Sequence, residues 1–229
     1  MNKQYTILSS ILLASSLPSF AQTIITSSDS FSGNIDFTDT VILNQYNGNI
    51  NDLQSIEICY KLNADGGTVG IDNEGDSSAD ISGDFGVKLE VSGSSVTLLD
   101  GAFQPILDGF VSSFMIPNTT LAANDGDDIT TFDVGGPDYA SFTSPGSSAT
   151  GSGMVNSQFY NQFIGNGTFN IDFAVDSLFN LSGEGGSTIQ FDSPNQARGE
   201  VTVKYTVIPE PSSAILLGLG GLFVLRRKR

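Results

Sequence analysis

Apolar residues recur at every second position in short stretches along most of this chain. Phe169, Ile171, Phe173 and Val175 alternate with Asn170, Asp172 and Ala174. Val201, Val203, Tyr205 and Val207 alternate with Thr202, Lys204 and Thr206. Ile56, Ile58, Tyr60 and Leu62 share one parity, and Ser55, Glu57, Cys59 and Lys61 the other. A period of two belongs to a strand with one buried face. Phe85, Val87, Leu89 and Val91 repeat it, and a turn at Ser92–Ser95 with a return over Ser95–Leu99 predicts a hairpin. One or two edge strands are expected from Thr23 to Phe37 (Thr23–Thr26, Phe31–Phe37), and further strands at Val41–Leu43, Ile129–Val134, Phe159–Ile164 and Thr188–Phe191.

Turn residues punctuate these stretches. Asn47-Gly48-Asn49, Asp65-Gly66-Gly67, Asn124–Asp128 and Gly183–Gly186 read as turns, the second as one that needs positive backbone angles. Gly70–Gly83 and Gly135–Gly153 read as polar loops. Phe103–Pro117 is interrupted by Pro105 and Pro117, with a short helical turn expected around Ile106, Leu107, Phe110 and Val111. Eight to eleven short strands joined this way predict an all-β fold, a single antiparallel β-sandwich of jelly-roll-like form.

The two ends break the pattern. Met1–Ala21 carries Lys3, an apolar stretch from Ile7 to Leu17, and then Ser19-Phe20-Ala21. That order of charge, apolar core and small residues is a signal peptide, with signal peptidase expected to cut between Ala21 and Gln22. At the other end stand Pro209-Glu210-Pro211, the apolar run Ala214–Leu225, and Arg226-Arg227-Lys228-Arg229. The run is twelve residues. A helix of that length spans roughly 18 Å against about 30 Å of hydrocarbon. It contains Gly218, Gly220 and Gly221, so it suits a transient pause in a membrane better than a permanent span. The segments are therefore 1–21, a β-sandwich domain at 22–207, and a tail at 208–229.

The tail resembles the PEP-CTERM sorting signal, which exosortase systems of Gram-negative-type bacteria recognise. Motif, short apolar helix and basic end occur in the same order at the extreme C-terminus. The resemblance implies export, transient membrane retention, recognition by exosortase, and release or attachment at the cell surface. An ordinary short tail anchor held by its basic end is the alternative. The middle of the chain resembles the choice-of-anchor E domain. The residues concerned are Leu43-Asn44-Gln45-Tyr46-Asn47, Leu53-Gln54-Ser55-Ile56, the acidic and Ser-rich stretch to Ser82, and the closing Val201–Val207. Ile56 stands where valine is common in that family, and Ile50-Asn51-Asp52 replaces a Gly-rich approach. That resemblance implies a bacterial surface domain, not a chemistry.

Charge changes once the ends are set aside. Five of the nine basic residues lie in them, which leaves Lys61, Lys88, Arg198 and Lys204 against 24 acids, a net of −20 for residues 22–208. Nucleic acid and anionic membrane surfaces are excluded as partners of such a domain, because phosphate binding needs a basic footprint. The single cysteine, Cys59, permits no intramolecular disulfide. It is either a shielded thiol or a site of intermolecular pairing.

The chemistry on offer is narrow. There is no histidine, so Ser-His-Asp and Cys-His arrangements and His-containing zinc sites are excluded. No Gly-x-x-x-x-Gly-Lys-Ser/Thr loop occurs. Paired carboxylates for glycoside hydrolysis remain open, but nothing singles out a pair. Asp72-Asn73-Glu74-Gly75-Asp76 and Asp125-Gly126-Asp127-Asp128 have calcium-binding residue types, yet Gly83 and Gly136 stand where an EF-hand loop carries glutamate. Solvated acidic turns are the better expectation for both, and no metal or other cofactor is assigned. Tyr139, Phe142, Phe159 and Tyr160 are the aromatic candidates for stacking on sugars, against a packing role for each. The expected protein is an exported, non-enzymatic surface or extracellular-matrix protein, structural or adhesive, linked to exopolysaccharide or biofilm. A carbohydrate-binding module for extracellular polysaccharide, with or without calcium, is the rival. A carboxylate-based glycoside hydrolase comes third.

Overall fold

The computed structural model of the protein describes residues 22–126, 132, 134–183, 188–192 and 196–208, with 188–192 described by backbone alone. The expected signal peptide with Ala21, and the expected short apolar helix of the tail, lie outside the described residues. Eleven strands are defined among those residues: β1 (Thr23–Asn34), β2 (Phe37–Asn44), β3 (Leu53–Asp65), β4 (Thr68–Asp72), β5 (Ala79–Ser94), β6 (Phe110–Leu121), β7 (Tyr139–Thr143), β8 (Gly146–Met154), β9 (Thr168–Gly183), β10 (Thr188–Asp192) and β11 (Gln196–Val207). The fold is all-β, and the ladders β2–β9, β9–β5, β5–β6, β11–β3, β3–β8, β10–β4 and β4–β7 are antiparallel.

The strands form three sheets, ordered β1-β11-β3-β8, β2-β9-β5-β6 and β10-β4-β7. The third repeats the order of the first. β4 follows β3 after Gly66-Gly67, β8 follows β7 after Ser144-Pro145, and β11 follows β10 after residues 193–195. Three neighbouring strands are thus interrupted at one level and resume beyond it. Glycine makes the interruption possible. A Cβ on Gly66 would lie 2.0 Å from the Ser144 carbonyl oxygen, and Gly146 has φ +76° with its own Cβ position 2.5 Å from the Ala64 carbonyl oxygen. The Ser144 amide donates to the Gly67 carbonyl across the gap at 2.8 Å. The expectation of positive backbone angles at Asp65-Gly66-Gly67 is corrected here. Neither glycine adopts one, and Gly66 is demanded by the close approach of another backbone.

The second sheet runs unbroken past the interruption, because β5 and β9 are each 16 residues long. It contributes to two cores. Val41, Leu43, Val87, Leu89, Phe169, Ile171, Phe173 and Val175 join Ile56, Ile58, Leu62, Val201, Val203 and Tyr205 of the first sheet. Ala79, Ile81, Phe85, Ile116 and Leu121 join Val69 and Ile71 of the third. Tyr205 is the largest of the fully buried side chains. Its hydroxyl donates to the Asn44 carbonyl at 2.8 Å, so burial leaves the phenol satisfied. Desolvation raises its pKa.

Several edge strands are guarded. Thr40, Ile42 and Asn44 of β2 are spaced by two, so their amides point the same way. They donate to Asp39 Oδ1 (2.8 Å), Asp29 Oδ2 (2.8 Å) and Ser27 Oγ (3.0 Å). Between β1 and β2 the chain turns at Asp36 with φ 65°, a conformation that short polar side chains tolerate. Its carboxylate accepts from the Ser177 amide at 2.9 Å. β6 is an edge strand and carries Pro117, where the register against β5 shifts between Ile81 and Gly83. Proline belongs at such a place because it lacks an amide to donate.

Several expected elements differ. Ser95–Leu99 is not a return strand: β5 pairs with β6 and β9 instead. Phe110–Leu121 is strand rather than helical turn, since a bulged edge accommodates Pro117. Gly70–Gly83 gives its ends to β4 and β5, and Gly135–Gly153 contains β7 and most of β8. Ser157–Phe163 is a 3₁₀ helix, not a strand, capped by Asn156 Oδ1 accepting from the Gln158 amide at 3.1 Å. Of the one or two strands expected from Thr23 to Phe37, a single strand spans Thr23–Asn34, and Phe37 opens β2. Of the strand expected at Ile129–Val134, Phe132 and Val134 are described and neither is in a strand; its other residues lie outside the described set.

Gly66→Ala is expected to destabilise the domain by about 2 kcal/mol or more, because the obstructing atom is backbone and cannot rotate away. Chemical denaturation of the variant beside wild type measures it, and an unchanged midpoint would refute the close-approach account.

Candidate functional site

The two acidic clusters meet as far as they are described. The loop after β4 and the loop after β6 are joined through Asn73, which is fully buried. Its amide group donates to the carbonyls of Ser77 and Ala122, and its Oδ1 accepts from the Gly75 amide at 3.2 Å. Asn124 Nδ2 donates to Glu74 Oε2 at 2.6 Å, and the Asp125 amide donates to Asp138 Oδ2 at 2.9 Å. Asp72 and Asp138 are buried beside them, at 2% and 3% exposure. In these contacts the carboxylate and carboxamide oxygens accept from N–H donors of the protein itself, and the Asn73 amide group donates to backbone carbonyls. They hold two loops together, as turn-forming Asp and Asn do. Among the described residues no group of three or more Asp, Glu, His or Cys side chains is arranged to hold a metal ion. Asp127 and Asp128 lie outside the described residues.

The four aromatic candidates are packed. Phe142 lies against the smaller core, Phe159 and Tyr160 against the larger, and Tyr139 meets Phe132 edge-on with ring centroids 5.6 Å apart. The structure presents a different aromatic, which sequence reasoning missed. Phe103 is 55% exposed, and no other described aromatic stands among the exposed large apolar side chains. It has φ 60°, an outlier for a bulky residue. Asp100 holds the loop: its Oδ1 accepts from the amides of Ala102 (2.8 Å) and Gln104 (2.9 Å), and its carbonyl from that of Phe103 (3.0 Å). The signal in the sequence was Asp100-Gly101 just before it and Pro105 just after, a turn setting for an aromatic with no alternating neighbours.

Two surface grooves lie among the described residues. One, of about 380 Å³, is lined by Ser30, Ser32, Lys61, Asn63, Arg198 and Glu200 over Phe31. The other, of about 560 Å³, places Glu90 and Asp108 beside Val96, Leu98, Pro105 and Leu107. No aromatic side chain lines the second.

The outer face of β3 and β11 carries most of the domain's cations. Lys204 pairs with Glu57 at 3.2 Å and Arg198 with Asp65 at 2.9 Å, while Lys61 stands opposite Glu200 in the ladder. Cys59 lies between them, a free and half-buried thiol on the polar side that its parity indicates. Hydrogen bonds from Ser152 and Lys204 hold the Glu57 carboxyl below its ordinary pKa. Hydrogen bonding to Cys59 and Glu57 raises that of Lys204.

Among the described residues no helix is long and apolar enough to cross a membrane. Where the described domain ends, a recognisable segment begins. Residues 207–229 match the PEP-CTERM protein-sorting motif. Signals of this kind are recognised by exosortase and imply export toward the cell envelope or surface. The match takes in Pro209, Glu210, Pro211 and Arg226, Arg227, Lys228, Arg229, all outside the described residues. It begins at Val207, the last residue of β11. No curated protein and no solved structure matches the chain.

The Glu57 cluster predicts a pH dependence. A carboxyl whose pKa is lowered by folding adds stability above its unfolded pKa, and loses it as pH falls through the folded value. Ser152→Ala removes the leading cause, so the Glu57 side-chain resonance should titrate at higher pH in the variant. An unmoved titration midpoint by NMR would refute the role of Ser152.

Proposed function

We propose that this chain is an exported surface or extracellular-matrix protein whose mature domain is structural or adhesive. Signal peptidase cuts between Ala21 and Gln22. The apolar segment Ala214–Leu225 and the basic end hold the precursor in the membrane while exosortase reads Pro209-Glu210-Pro211. The domain is then released or attached, in an exopolysaccharide or biofilm setting, and has no catalytic role. The observation that carries this reading is the sorting motif, which starts at the last residue of the closing strand.

The mature domain is read as a jelly-roll β-sandwich of choice-of-anchor E-like type. The strand orders β1-β11-β3-β8 and β2-β9-β5-β6 support the first part, since a jelly roll has eight strands in two Greek keys. On this reading β4, β7 and β10 extend one layer. A fold of this kind hosts many functions, so it carries no activity by itself.

Phe103 supports a second reading, a carbohydrate-binding module. An exposed aromatic on a clamped loop is a platform for a sugar face, and the polar groove at Arg198 offers hydrogen-bond partners for hydroxyls. A glycan array separates the two readings. Saturable binding to one polymer class that Phe103→Ala abolishes establishes the module, and no binding with or without calcium removes it.

Mass spectrometry of surface material is expected to find chains lacking Arg226–Arg229. Replacing Pro209-Glu210-Pro211 by three alanines should leave the precursor in the membrane fraction. An intact C-terminus on released protein would contradict processing, and normal release of the alanine variant would contradict recognition at the motif.

A further inference from the structure

We propose that the open edge of β8 is a self-association surface, on which a second copy of this chain pairs antiparallel through its own β8. The first observation is directional. The Val155 amide donates to the Ile56 carbonyl at 2.9 Å, and the register places Gly153 opposite Ile58 and Gly151 opposite Tyr60. Amides alternate in direction along a strand. Residues 147, 149, 151 and 153 therefore bond to β3, and those of Ser148, Thr150 and Ser152 point away from it. These three residues are exposed. The free stretch ends at Asn156, whose amide is taken by the Leu99 carbonyl at 2.8 Å.

The second observation is contrast with the other edges. An open strand edge is a template for pairing, and folds block it with charge, proline, bulges or shortness. β2 has its outward amides capped by Asp39, Asp29 and Ser27. β1 contains Asp29, which also takes the Ser30 amide. β6 has Pro117 and a shifted register. β7 and β10 are five residues each. β8 is nine residues with no charge and no proline, and its register against β3 is continuous.

The third observation says what fits there. Residues 22–208 carry 24 acids and four cations, so two copies repel over most of their surface. Strands β3, β8 and β11 are the exception. They hold three acids (Glu57, Asp65, Glu200) and three cations (Lys61, Arg198, Lys204), two of the three pairs in direct contact. This neutral face ends at the bare edge of β8. A second copy meets no uncompensated charge there. Antiparallel pairing about a twofold through Thr150 sets Thr150 against Thr150 of the second copy and Ser148 against Ser152. The outward amides and carbonyls of Ser148, Thr150 and Ser152 are then satisfied on each side, and small hydroxyl side chains face one another, a favourable cross-strand pairing.

The test is sedimentation equilibrium of the full-length chain in non-ionic detergent at low and high salt. A dimer is expected that tightens with salt, because screening weakens the repulsion between the acidic remainders of the two copies. Thr150→Pro removes the central amide without removing a bond to β3. Thr150→Glu faces Lys61 within its own chain but sets two carboxylates together across the twofold. Both should raise the dimer dissociation constant at least about tenfold, a loss of about 1.4 kcal/mol. Thr150→Ser should leave it unchanged, and circular dichroism checks that each variant is folded. A chain that stays monomeric at every concentration and salt overturns the proposal. So does a dimer that persists in folded Thr150→Pro and Thr150→Glu, which would assign association to the tail or another face.

Discussion

The ladder between β5 and β9 is the constraint on which the rest of the fold depends. Both strands are 16 residues long and pair along nearly their whole length. At about 3.3 Å per residue such a ladder reaches roughly 50 Å. Twist accumulates along strands, so two long sheets packed face to face part at their ends. The layer opposite does not follow the ladder as one piece. It breaks at Gly66-Gly67 and at Ser144-Pro145, and the third sheet starts anew against the far half. Two cores along one long sheet result, with Val87 and Leu89 of β5 in one and Ala79, Ile81 and Phe85 of the same strand in the other.

Charge is distributed as unevenly as the strands. Beyond β3, β8 and β11, residues 22–208 hold 21 acids and a single cation, Lys88, which pairs with Glu90. Many of these acids satisfy backbone amides: Asp100, Asp108 and Asp138 within their own loops, Asp36 that of Ser177 in β9, and Asp39 and Asp29 those of β2. An aspartate that satisfies an amide serves where a turn or edge would otherwise leave a polar group bare. The acidity of the domain thus follows partly from how a many-turned all-β chain terminates its hydrogen bonds.

Sequence pattern was a good guide wherever one face of a strand meets a deep core. Phe169–Val175, Val201–Val207 and Ile56–Leu62 are strands with the face expected for nearly every residue. It failed where the inward positions are small. Along β8 the half-buried positions are Gly146, Ala149, Gly151 and Gly153, and Tyr60 and Ile106 fill the space that larger residues would need at Gly151 and Gly153. No alternation of hydrophobicity can then appear. Phe159, Tyr160 and Phe163 misled in the opposite way, since an apolar cluster this short fits a seven-residue 3₁₀ helix as well as a short strand. The tail was legible because its meaning lies in the order of three linear segments, which needs no tertiary structure. Phe103 was not, because exposure of an aromatic is decided by what fails to pack on it.

The position of β11 sets an order of events. It lies between β1 and β3 and pairs with both, so the first strand of the domain waits for the last. Some 170 residues separate Ser28 from Thr202, whose hydroxyls meet at 2.8 Å. Closing so long a loop is costly before its contacts form, and topologies of this kind fold slowly. Until β11 is in place, β3 has a vacant edge and β1 has no neighbour in the sheet. The sheet is completed only by the strand that ends at Val207, where the sorting segment begins. The fold and the sorting signal thus share one boundary in the sequence, and a truncation that trims the closing strand removes the signal as well.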